Sequence, residues 1–126
     1  MSFFTAFILP LRAQPLTIPF KPNSVCLAAI GDMGLGNNAE DKVARQMSAY
    51  HQVLSFDFFI MPGDDIYGGH APSDFEQKFA APFDPLLNAG VRFYASLRNH
   101  DNIAVERFYK PFNMNGQRYD TCKKGN

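Results

Sequence analysis

Three short apolar runs mark the chain, and each closes on an acidic turn. Val25-Cys26-Leu27-Ala28-Ala29-Ile30 is continuous, of strand length, and ends at Gly31-Asp32-Met33-Gly34. A run without polar interruption predicts a strand buried on both faces, as in the middle of a parallel sheet. Phe56 to Met61 is the second run, and it delivers Pro62-Gly63-Asp64-Asp65-Ile66-Tyr67. The third, Val91 to Leu97, alternates. Val91, Phe93, Ala95 and Leu97 fall on one side and Arg92, Tyr94 and Ser96 on the other, before Arg98-Asn99-His100-Asp101.

Between the runs the period becomes helical. Asn37 predicts an N-cap, with Glu40 three residues on as the reciprocal partner of a capping box. Val43, Met47, Tyr50 and Leu54 recur at helical spacing and predict one apolar stripe down to about Leu54. His51 lies beside that stripe and reads as a packed or surface residue of the helix. Strand, helix and strand in this order predict a parallel, right-handed crossover. Gly68 to Pro72 reads as a loop. Ser73 with Glu76 predicts a second capping box and a short helix through Phe75 and Phe79, which Pro82 and Pro85 break into a further turn carrying Leu86 and Leu87. A short helix near Ala104 to Tyr109, a strand-like Gln117 to Cys122 and a hairpin-like turn from Lys123 to Asn126 complete the order. The whole predicts an α/β fold of βαβ units on a mostly parallel sheet.

Composition alters this picture little. A chain of 126 residues builds one modest domain. Lys plus Arg (12) balances Asp plus Glu (12), so neither a nucleic-acid-binding module nor an anionic membrane is expected as partner. The apolar stretch Phe3 to Leu11 is too short for a transmembrane segment. It has the length of a signal-peptide core but lacks basic residues ahead of it and a clear cleavage site. Residues 1–23 therefore read either as a degenerate export signal, which favours a periplasmic or secreted location, or as an extended lead-in set by Pro15, Pro19 and Pro22. Cys26 and Cys122 lack metal-type spacing; Cys26 reads as a small core residue, and a bridge between the two is neither required nor excluded.

The chemistry lies in the acidic turns. Open α/β sheets bind ligands beyond the carboxyl ends of their strands. Gly63-Asp64-Asp65 alone is only a turn signal. Its repetition, strand then acidic tip on either side, places Asp32, then Asp64 with Tyr67, then Asn99-His100-Asp101 around one crevice. Hard oxygen donors with a histidine suit Fe, Mn or Zn. A carboxylate shared by two ions about 3.5–4 Å apart would let the pair polarise a phosphoryl oxygen and activate a water.

With these motifs the chain resembles the calcineurin-like metallophosphoesterases. Their pattern runs Asp-x-His or Asp-x-Gly, then Gly-Asp, then Gly-Asn-His-Asp/Glu, each after a strand. Gly34, where many relatives carry a histidine ligand, and Tyr67, in Gly-Asp-x-x-Tyr spacing, resemble the purple acid phosphatase branch in its small tartrate-resistant form. The resemblance spans residues 24–126, and implies the N-terminal half of an α-β-β-α sandwich. It also implies a phosphate-ester substrate and a dinuclear metal centre of Fe(III) with Fe, Zn or Mn. On the same grounds Asp32 would bind the first metal, Asp64 would bridge, Tyr67 would be the phenolate ligand and Asn99 would hold the second metal. His100 would contact the substrate phosphate or protonate the leaving group, and Asp101 would orient its ring. Asp65 takes no ligand role, and His70 reads as a residue of a mobile loop.

Two departures from that pattern stand out. Arg98 occupies the place of the motif glycine and is expected to strain the loop that aims Asn99 and His100, and to disfavour bound cations. No histidine follows His100, so the second metal would keep only Asp64 and Asn99. One apolar face of the sheet would stay uncovered, which favours self-association. The alternative to a dimetal hydrolase is therefore an inactive fragment with weak or no metal binding. A nucleotide-binding reading fares worse, because Gly31 to Gly36 spells G-x-x-G-x-G rather than G-x-G-x-x-G.

Overall fold

The computed structural model describes residues 17–18, 21–118 and 123. Strands β1 (Leu27–Ala29), β2 (Phe58–Met61) and β3 (Arg92–Ala95) form one sheet in that order, parallel throughout. Helix α1 (Asn38–Leu54) links β1 to β2. A helical run links β2 to β3, made of α2 (Pro72–Phe75), a π-helical turn (Glu76–Ala80) and α3 (Ala81–Asn88). Helix α4 (Ile103–Glu106) and a 3₁₀ turn (Lys110–Phe112) follow β3. The α/β architecture expected from the strand–helix alternation is what forms. Among the described residues no helix is long and apolar enough to cross a membrane. The strand-like stretch expected near Gln117 to Cys122 and the turn after it fall almost wholly outside the described residues.

In-register pairing puts Phe59 beside Phe93 and Met61 beside Ala95, all buried and all facing the helices. The Phe59 and Phe93 rings stack with centroids 4.7 Å apart, and Phe79 and Phe83 close over them edge-on. Each such ring contributes on the order of 2–3 kcal/mol on removal from water. Ala44 of α1, Leu86 of α3 and Phe112 complete this core.

The other face of the sheet carries Leu27, Ala29, Phe58, Ile60, Arg92 and Tyr94. On this face Leu27 is 44% exposed and Ile60 40% exposed, while Phe58 is buried with its ring edge-on to Tyr94. That corrects the expectation for the first run. Among the described strands β1 lies at the edge and not in the centre, and of its run Cys26, Ala28 and Ile30 turn inward against the core.

Three helix expectations also change. Asn37 caps α1 by accepting the N–H of Ala39 and of Glu40, but the Glu40 carboxylate turns away to the preceding loop instead of closing the box. That inward turn rotates the buried stripe to Glu40, Ala44, Met47 and Leu54, leaving Val43 and Tyr50 exposed. The second cap uses Asp74, whose Oδ2 accepts the Ala71 N–H at 2.9 Å, with Pro72 opening the helix and Ser73 inside it. Finally, Pro82 does not break the run. The Ala81 N–H reaches back five residues to Glu76, and this wider turn carries the chain past a residue that has no N–H to give. His51 packs edge-on against Phe56 at 4.9 Å, the helix-packing role expected of it.

Candidate functional site

The three turns beyond the strands meet at the carboxyl edge of the sheet. In the first, Asp32 has φ of 53° and its N–H donates to the Gly63 carbonyl at 3.3 Å. Gly34 (φ 75°) passes so close to the second turn that any Cβ would overlap the Asp65 carbonyl oxygen. Its own carbonyl accepts the Tyr67 N–H at 3.1 Å. A side chain at position 34 is therefore excluded by the same backbone contact that seats Tyr67. Glu40 holds this turn by accepting the N–H groups of Gly34 (3.1 Å) and Gly36 (2.6 Å). Burial raises the Glu40 carboxyl above its ordinary value, against the pull of these N–H groups.

The second turn is held in the same way from the third. Asp64 is 5% exposed with φ of 57°. The Asp101 carboxylate accepts the N–H groups of Asp64 (2.9 Å), Asp65 (2.6 Å) and Ile66 (3.3 Å), and that of Arg98 (2.7 Å). With both oxygens on backbone amides, Asp101 positions the loops.

The third turn spans Arg98 to Asp101 and closes through the Asp101 N–H on the Arg98 carbonyl at 3.3 Å. Arg98 is not among the residues with positive φ, so the strain expected of it does not arise. The left-handed conformations fall on Asp32 and Asp64 instead. Aspartate tolerates that region better than most residues.

Of the predicted site residues, four are brought together. The Tyr67 hydroxyl donates to Asp32 Oδ1 at 3.0 Å, spanning two strand tips. The His100 ring lies 5.2 Å from the Tyr67 ring, tilted by 39°. Asp64 Oδ1 accepts the His100 backbone N–H at 3.4 Å. Burial first, then the hydrogen bond and charge of Asp32, hold the Tyr67 phenol above its ordinary value. Lys78 anchors the loop below by donating to the Tyr67 carbonyl at 2.8 Å. Asn99 sits exposed in the third turn between Arg98 and His100.

Two oxygen donors about 3 Å apart match neighbouring positions in the shell of one hard cation, so Asp32 and Tyr67 fit a metal such as Fe(III). Around Asp64 the fit is poorer. The Arg98 guanidinium lies 3.7 Å from Asp64 Oδ2, and no described trio of His, Cys, Asp or Glu is gathered to hold an ion.

Sequence reasoning missed a buried acidic group behind these turns. Asp65 and Glu106 are both fully buried, and both Asp65 oxygens and Glu106 Oε2 lack a hydrogen-bond partner. Glu106 Oε1 accepts the Asn102 N–H at 2.7 Å and lies 3.1 Å from His70 Nδ1. His70 is thus a largely buried partner of Glu106, not a residue of a free loop. Burial, then the charges of Asp101, Glu106 and Asp64, push Asp65 up to about 8. Burial, with Asp101 beside it and the Asn102 N–H opposing, pushes Glu106 up to about 7. A signal for Asp65 did exist: the residue lies between a strand-tip aspartate and the apolar Ile66, where the chain turns back into the core.

Compared with protein-family models and with curated proteins, the chain matches none.

Proposed function

We propose that this chain carries the metal-binding strand tips of a phosphoester hydrolase of the metallophosphoesterase kind, as the N-terminal half of its α-β-β-α sandwich. The observation that supports this best is the 3.0 Å contact between Asp32 Oδ1 and the Tyr67 hydroxyl, with the His100 ring beside it. Motifs far apart in sequence converge there on one crevice, with donors suited to a hard cation. Asp32, Tyr67 and Asp64 would hold the first metal, Fe(III), and Asp64 with Asn99 the second, Fe, Zn or Mn. A bound metal supplies Lewis acidity toward a phosphoryl oxygen and lowers the pKa of a coordinated water. The residues do the rest. Asp101 and Glu40 fix the loops, and His100 stands exposed at the mouth, placed to meet the phosphate or give a proton to the leaving group.

A second reading, a fragment with weak or no metal binding, is favoured by the guanidinium on Asp64 and the two-donor set of the second position. The nucleotide reading loses its phosphate cradle, because Glu40 already occupies the N–H groups of the glycine-rich turn. Elemental analysis of the purified chain after exposure to Fe, Zn and Mn tests the proposal. At least one metal per chain, lost in Asp32→Asn with Tyr67→Phe, supports it. Less than about a tenth of an equivalent at micromolar metal overturns it, since transition-metal sites of adequate donor number bind far more tightly.

A further inference from the structure

Arg98 is built into the site more firmly than an exposed arginine usually is. Its N–H donates to Asp101 Oδ2 and its carbonyl accepts the Asp101 N–H, so its root is fixed on both sides. Its stem lies on the bare backbone of Gly63, where a Cβ would overlap Arg98 Cβ, Cγ and Cδ. Its head reaches to 3.7 Å from Asp64 Oδ2. Gly63 (φ 107°) thus serves two ends: it makes the turn, and it leaves the groove in which the arginine stem lies. The carboxylate it meets is one of four gathered here, with Asp32, Asp65 and Asp101 the others.

We propose that Arg98 is a tethered counter-cation that occupies the charge position of the second metal, so that a metal loads onto Asp64 only by displacing it. This rests on the metal-site reading of Asp64 given above. A guanidinium is a permanent cation. Because the head is more than half exposed, the pair itself contributes little to folding. Its effect falls on a divalent ion. Coulomb repulsion between one and two charges a few ångströms apart, in a water-like dielectric, lowers affinity about tenfold. The chain then has unequal metal positions: a first with two donors of its own, Asp32 and Tyr67, beside the shared Asp64, and a second that adds only Asn99 to the carboxylate the guanidinium faces.

The test is metal titration of chelator-stripped protein with Zn²⁺ and Mn²⁺ at low ionic strength, comparing wild type, Arg98→Ala and Arg98→Lys. Arg98→Ala keeps the backbone bonds to Asp101, and circular dichroism checks the fold. The expected result is a second equivalent bound about tenfold more tightly in Arg98→Ala, with Arg98→Lys close to wild type and the gap closing in salt. A second equivalent bound equally or more weakly in Arg98→Ala overturns the role of Arg98 while leaving the metal reading intact. No metal bound by any variant overturns both.

Discussion

Replacing Asp65 by asparagine should make the chain more stable at alkaline pH and remove most of its pH dependence. Asp65 is fully buried, Asp101, Glu106 and Asp64 face it, and only the Gly63 N–H pulls the other way. Its carboxyl rises from an ordinary 3.8 to about 8, so the native state holds this proton more tightly than the unfolded chain does. The stability this brings is fully present below about pH 4 and is lost as pH rises through about 8. At about 1.4 kcal/mol per pH unit, titration of this group alone removes about 3 kcal/mol between about pH 5.5 and about pH 8.5. That is a large part of the roughly 5–15 kcal/mol holding a domain together. Urea unfolding of the metal-free protein at several pH values measures it. Wild type should weaken steadily over that range, while Asp65→Asn, neutral and of the same shape, should keep only the shallower slope of Glu106, whose carboxyl is pushed up to about 7. Glu106→Gln should remove a smaller slope, and the two effects should overlap because the Glu106 charge helps to raise Asp65. A wild type equally stable at both ends, or Asp65→Asn with an undiminished slope, refutes the reasoning.

Other perturbations probe other parts of the site. Asp101→Asn leaves one oxygen to serve four backbone N–H groups and should cost about 2–4 kcal/mol in urea unfolding, more than a half-exposed aspartate normally would. Tyr67→Phe should change the melting point by only a few degrees but abolish the visible charge-transfer band that phenolate gives with added Fe(III); a band that survives removes Tyr67 from the site. Phe93→Ala opens the centre of the aromatic cluster and should cost about 3–5 kcal/mol, enough to unfold much of the population at ambient temperature. Leu27 and Ile60, both exposed on one face of the sheet, should drive concentration-dependent self-association in light scattering, which Leu27→Lys with Ile60→Lys suppresses; a wild type that remains monomeric at millimolar concentration refutes this.

What the sequence made legible was whatever rests on local pattern. The apolar runs located all three strands, and alternation in Val91 to Leu97 predicted that Phe93 and Ala95 face the core. The order of elements carried the parallel pairing, and strand tips ending in acid carried the crevice. What stayed hidden depends on which neighbours are present. The first run reads as doubly buried, yet it lies at the edge of the described strands with Leu27 in the open, because hydrophobicity records what a strand can bury and not what covers it. Glu40 read as half of a capping box because spacing alone cannot show a carboxylate turning six residues back to Gly34. Asp65 and His70 lie in the loop after β2 and Glu106 in α4, and no spacing rule joins them.

The two staples explain why the metal-type residues stand where they do. Asp32 and Asp64 both sit in the left-handed region, which costs an ordinary residue about 1–2 kcal/mol. Each lies in a turn whose N–H groups are gathered inward, an arrangement that attracts an anion. In each case the anion comes from the next part of the chain: Glu40 from the first turn of α1, Asp101 from the turn after β3. Charged acceptors on backbone N–H groups give hydrogen bonds of about 1.5–3 kcal/mol, more than the strain they offset. The strained turns then become the stable ones, and they hold Asp32 and Tyr67 at contact distance. One consequence separates the staples from the donors. Substituting Glu40 or Asp101 should disturb every loop residue at once, whereas substituting Asp32 or Tyr67 should leave the loops in place and change only what they bind.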